Sequence, residues 1–103
     1  MPLLRRDVSV DGFEIRLYDM EVKDGKHRFL LWFISSSVSE QWNIFFSDSL
    51  DYKVLADEII GGLKFQGIRK TLRTVGKRTS IKALNINGRL FEAERISVDF
   101  PMK

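Results

Sequence analysis

The 103-residue chain contains no cysteine. Disulfides, thiolate metal sites and a cysteine nucleophile are excluded, which favours a reducing compartment. Histidine occurs once, as His27. A single imidazole argues against a catalytic triad, and no divalent-metal ligands fall at a usable spacing. Long apolar runs are missing too. The longest spans Phe29 to Ile34, far short of the roughly 20 residues a membrane helix needs. The start, Met1-Pro-Leu-Leu-Arg-Arg, carries its charge after two leucines with no apolar stretch behind it, unlike a signal peptide. The expectation is a cytoplasmic protein with no membrane partner and no cofactor. No linker rich in Pro, Gly or Ser, no repeat and no low-complexity tract interrupts the chain. Residues 1–103 therefore read as a single domain, large enough to bury a core without staples. A composition of 44% hydrophobic and 30% charged residues belongs to a globular protein, not a disordered one.

Catalytic motifs are also lacking. Ile60-Gly61-Gly62-Leu63 has no GK[ST] ending and cannot be a phosphate loop. Ser35-Ser36-Ser37 sits in no nucleophile elbow. Asp19 and Glu21 share a strand face by alternation, as do Glu92 and Glu94, but carboxylates two apart on a strand are ordinary surface patterning outside a cleft. His27, beside a turn, reads as a surface residue.

The absence that says most is local. Residues 59–91 carry eight bases and no acid, whereas residues 1–58 carry eleven acids and seven bases. The bases of the acid-free run are Lys64, Arg69, Lys70, Arg73, Lys77, Arg78, Lys82 and Arg89. Like charges without nearby acid repel one another, and a partner that neutralises them relieves that repulsion.

What is present organises a fold. Asp11-Gly12, Asp24-Gly25 and Asn87-Gly88 each separate strand-like sequence, and Asx-Gly supplies the positive φ that both central residues of a type I′ hairpin turn require. Phe13, Ile15 and Leu17 share one strand face. The apolar parity then moves to Tyr18, Met20 and Val22, which predicts a bulge near Leu17–Tyr18 or a strand whose two ends cover different cores. Phe29–Ile34 is apolar at every position, which predicts a central strand covered on both faces. Trp42, Ile44 and Phe46 alternate as a strand, and Ile96, Val98 and Phe100 share a face before Pro101 ends pairing.

Between the strand groups the period changes. Tyr52, Leu55, Ala56, Ile59, Ile60 and Leu63 mark an amphipathic helix. Asp48 or Ser49 is positioned to cap it, Asp51 suits its first turn, and Gly61-Gly62 can end it. A second, short helix is predicted over 67–75, with Ile68, Leu72 and Val75 inward and Arg69, Lys70 and Arg73 outward. The expected fold class is α+β: an antiparallel sheet of five to six strands in β-β-β-β-α-(α)-β-β order, packed by one main amphipathic helix. Leu31, Trp32, Phe33, Leu55, Ile59 and Val98 are the expected core. The strand aromatics Phe13, Tyr18, Phe29, Trp32, Phe33, Trp42, Phe45 and Phe46 are expected to fill it too, with base stacking on an open sheet face as the alternative.

The functional expectation is a small non-enzymatic binding or regulatory module that contacts nucleic acid through Lys64, Arg69, Lys70, Arg73, Lys77, Arg78 and Lys82. The alternative is an accessory module that binds an acidic protein through the same segment. An enzyme without a recognisable motif stands third. An edge strand is a further expected route to a homodimer.

Overall fold

A computed structural model describes residues 4–47, 49–75 and 83–96. These residues form one six-stranded antiparallel sheet and two helices. The strands are β1 (Arg5–Val10), β2 (Phe13–Lys23), β3 (Lys26–Ile34), β4 (Ser39–Ser47), β5 (Ala83–Ile86) and β6 (Arg89–Ile96). Helices α1 (Tyr52–Gln66) and α2 (Ile68–Val75) lie in the chain between β4 and β5. The spatial order is β1-β2-β3-β4-β6-β5. The hairpin turns are of the expected type: φ is positive at Asp11 and Gly12 (54° and 81°), Asp24 and Gly25 (54° and 74°), and Asn87 and Gly88 (53° and 87°). That geometry matches the right-handed twist of the strands it joins.

The core lies between one sheet face and the helices. Ile15, Leu17, Phe29, Leu31, Phe33, Trp42, Ile44, Leu84, Phe91 and Ala93 of the sheet are buried against Leu55, Ala56, Ile59, Ile60 and Leu63 of α1 and Ile68 of α2. Leu31, Phe33, Leu55 and Ile59 are thus core residues as expected; Val98 lies outside the described residues, as do Phe100 and Pro101. Trp32 is a correction. It is only partly buried, on the opposite face with Tyr18, Leu30, Ile34 and Phe45. No described helix or strand packs on that face, so among the described residues β3 is covered on one side only. Leu30, Trp32 and Ile34 are only partly exposed although no described layer lies over them, so neighbouring side chains on the face shelter one another.

Two boundaries also differ from expectation. The bulge falls between Asp19 and Val22, two residues later than the apolar parity implied. Inward alternation continues past Leu17 through Asp19, which is fully buried, and a polar residue at an inward position hides that continuation. Helix α1 passes through Gly61-Gly62 and ends at Gly67, whose φ is 93° and whose N–H donates to the Leu63 carbonyl at 2.8 Å. Gly62 is a close-approach residue instead: a Cβ there would stand 2.8 Å from Ile86 Cγ2. At the other end the cap is Asp51 itself. Its Oδ1 accepts from the N–H groups of Lys53 and Val54 at 3.0 and 3.4 Å, satisfying orphan donors of the first turn.

Candidate functional site

Helix α2 carries the centre of the basic segment. Its start is tied to the first hairpin, where Asp11 Oδ2 accepts from the Ile68 N–H at 3.3 Å. Gln66 holds the junction from the other side. Its Nε2 donates to Thr71 Oγ1 at 2.7 Å and to the Asn85 carbonyl at 3.1 Å, and its Oε1 accepts from the Asn87 N–H at 2.9 Å. A two-turn helix is marginal alone; these bonds and the buried Ile68 and Thr71 supply its tertiary support. Leu72 is partly buried, while Arg69, Lys70 and Arg73 are exposed. The side chain of Val75 lies outside what is described.

Arg69, Leu72 and Arg73 form one wall of a shallow open concavity of about 370 Å³, completed by Phe13 and Val38. The Arg69 guanidinium stands 5.7 Å from the centre of the Phe13 ring, a cation–π contact that orients it without neutralising it. Lys64 is exposed in the last turn of α1. Beside it Phe65 is 82% exposed, an aromatic among cations. Of the expected binding residues, Arg69 and Arg73 are brought together at one concavity, Lys70 shares their helix, and Lys64 sits on the helix before. Lys77, Arg78 and Lys82 lie outside the described residues.

These cations differ in their pairing from most of the other described ones, Lys53 of α1 being the exception. Arg5 meets Asp7 at 2.9 Å, Arg6 meets Asp57 at 3.0 Å, Arg16 meets Glu14 at 3.0 Å, Lys26 meets Glu92 at 2.5 Å, Arg89 meets Glu58 at 2.6 Å and Arg95 meets Glu40 at 3.5 Å. Hydrogen bonds to Asp7 and Glu14 hold the Arg5 and Arg16 guanidinia above their ordinary pKa. By contrast, Lys64, Arg69, Lys70 and Arg73 have no carboxylate partner among the described residues. Arg89, although part of the acid-free run, is drawn out of it by Glu58 of α1.

One arrangement went unread in the sequence. His27 is 5% exposed rather than a surface residue, and it hydrogen-bonds through Nε2 to Oδ1 of the fully buried Asp19. The imidazole stacks on Phe46 at 4.9 Å and 10°, with Tyr52 at 5.3 Å and Phe29 at 5.9 Å. Asp19 Oδ2 has no partner among the described residues. Neither the α2 concavity nor the groove beside Leu50, Val54 and Arg89 is lined by this pair. Its described surroundings are those of a structural tie under α1. Among the described residues no three His, Asp or Glu side chains are grouped to hold a metal ion, and no helix is long and apolar enough to cross a membrane. No family model, no curated protein and no solved structure matches the chain.

Proposed function

We propose that the protein is a non-enzymatic nucleic-acid-binding module whose basic segment, centred on α2, contacts the phosphate backbone. The observation that carries this reading is the pairing contrast. Arg5, Arg6, Arg16, Arg89 and Arg95 each have a carboxylate within 4 Å, while Arg69 and Arg73 have none among the described residues and line the same concavity. Residues 69, 70 and 73 are three or four apart or adjacent on a helix, so their head groups reach one strip of surface. Unpaired guanidinium and ammonium groups on a rigid element are the elementary parts of a phosphate contact.

A second reading has its own observation. Phe13, Val38 and Leu72 make the floor of the concavity apolar, which suits an acidic protein segment with an apolar anchor as well as a nucleotide. One pair of variants serves both. Arg69→Glu with Arg73→Glu replaces attraction by repulsion at two neighbouring contacts and should abolish binding to fluorescently labelled single- and double-stranded oligonucleotides at low salt. The fold should persist, because exposed charges contribute little to stability. Failure of the unsubstituted protein to bind either oligonucleotide at low salt ends the nucleic-acid reading. Loss, in the same double variant, of a co-purifying acidic protein would support the second.

A further inference from the structure

The uncovered face of the sheet, opposite α1 and α2, has a distinct composition. Its apolar residues, Tyr18 of β2, Leu30, Trp32 and Ile34 of β3, Phe45 of β4 and Ile96 of β6, are all partly buried with no described layer over them, and β4 adds Gln41 and the Asn43 that accepts from Arg28 at 2.7 Å. Its charges are segregated by strand. On β1, β2 and β3 the face carries Arg5, Arg16, Lys26 and Arg28 against Asp7 and Glu14, whereas on β6 it carries only Glu92 and Glu94. Glu92 is met by Lys26. Glu94 is exposed and has no partner among the described residues.

We propose that this face is covered by a second copy of the chain, packed sheet on sheet about a two-fold axis. The axis runs along the strands, in the plane between the two sheets, at the β3–β4 boundary. Such an axis reverses the strand order but keeps each residue's level along the strand, so β3 lies over the partner copy's β4 and β2 over its β6. The positive half of each face then meets the negative half of the other. One level shows this most clearly. Tyr18, Leu30, Asn43 and Glu94 are successive neighbours across β2, β3, β4 and β6. The Arg5 guanidinium is folded over the Tyr18 ring at 5.6 Å, which places it on the line of β2. Under the two-fold it faces the unpartnered Glu94 of the other copy, twice per dimer, and would share its guanidinium between that carboxylate and its own Asp7. Between these charged flanks the apolar β3 row of Leu30, Trp32 and Ile34 runs beside the same row of the partner copy, over the polar Asn43 and Gln41 of its β4.

The size is adequate. Six strands spaced about 4.8 Å apart cover about 24 Å, and nine residues of β3 rise about 30 Å, so the face offers roughly 500–700 Å² after allowance for the shorter edge strands. That approaches the roughly 800 Å² each partner gives to a standard interface, and sheets pack face to face with strand directions within about 30° of alignment. The helices remain on the outside, so the α2 surfaces of the two copies point away from each other. The dimer rests on the sheet alone and does not depend on what α2 binds.

The test is sedimentation equilibrium of the full chain across a concentration series, with Arg5→Glu, Glu94→Arg and the exchange variant carrying both. The expected result is a dimer for the unsubstituted protein, weakened about tenfold by each single reversal because each acts at two symmetric contacts, and restored by the exchange. A Trp32→Lys variant should be monomeric with an unchanged far-ultraviolet circular dichroism spectrum. A chain that stays monomeric at several hundred micromolar overturns the proposal. So does a dimer indifferent to all these substitutions, which would point to an edge strand. So does quenching of Trp32 by an oligonucleotide with the chain monomeric, which would make the face a stacking platform.

Discussion

Replacing His27 by Leu should cost the fold about 3–5 kcal/mol, because it leaves the Asp19 carboxylate buried with no partner. The magnitude follows from burial. Asp19 has no exposed surface, His27 is 5% exposed, and Oδ2 of Asp19 already lacks a hydrogen bond among the described residues, so little else can take up the charge. Asp19→Val should cost less, since the imidazole left behind keeps its stacking contact with Phe46. The double variant, Asp19→Val with His27→Leu, fills the site with apolar groups of similar volume and should lie within about 1 kcal/mol of the starting protein, as buried polar pairs commonly do on wholesale replacement. Urea unfolding of the four proteins, followed by tryptophan fluorescence, closes the cycle and isolates the coupling between the two side chains. Additive single effects, each below about 1 kcal/mol, would refute the claim that this pair ties β2 to β3 beneath α1.

Three further outcomes follow from α1. Gly61→Ala should stabilise the protein by up to about 1 kcal/mol, since a methyl there meets nothing within 4 Å and alanine is the better helix former. Gly62→Ala should instead destabilise it by about 1–3 kcal/mol, because the methyl collides with Ile86 Cγ2 at 2.8 Å and overpacking outweighs propensity; thermal denaturation of both variants decides this. Leu55→Ala and Ile59→Ala should each cost about 2–5 kcal/mol in denaturant unfolding, as both side chains are almost wholly buried.

The parts of this fold that were legible in sequence are those set by local chemistry. Asx-Gly pairs fix a turn through two residues, and the 3.6-residue apolar spacing of Tyr52–Leu63 marks a helix wherever it sits. What escaped depends on residues far apart in the chain. Gly61-Gly62 resembles a helix stop until Ile86 of β5 is seen pressing on Gly62. His27 looks like a turn-side surface residue until Asp19, eight residues earlier, is found buried against it. The six apolar residues of β3 could not reveal that only one sheet face is covered among the described residues, since alternation disappears equally when a second layer is present and when apolar side chains simply lean on one another. For the basic segment, sequence supplied the absence of acid. It could not supply the pairing, and Arg89 left the group only once Glu58 was placed beside it.

The salt dependence of oligonucleotide binding tests the central functional claim most directly. Five phosphate contacts, from Arg69, Lys70, Arg73, Lys77 and Arg78, predict that the logarithm of the binding constant falls against the logarithm of salt with a slope of roughly −3.5 on single strands or −4.5 on duplex. The Arg69→Glu, Arg73→Glu variant should show no measurable binding under the same conditions. A slope flatter than about −1, or binding that survives the double reversal, would contradict the assignment of α2 as the phosphate-contacting surface.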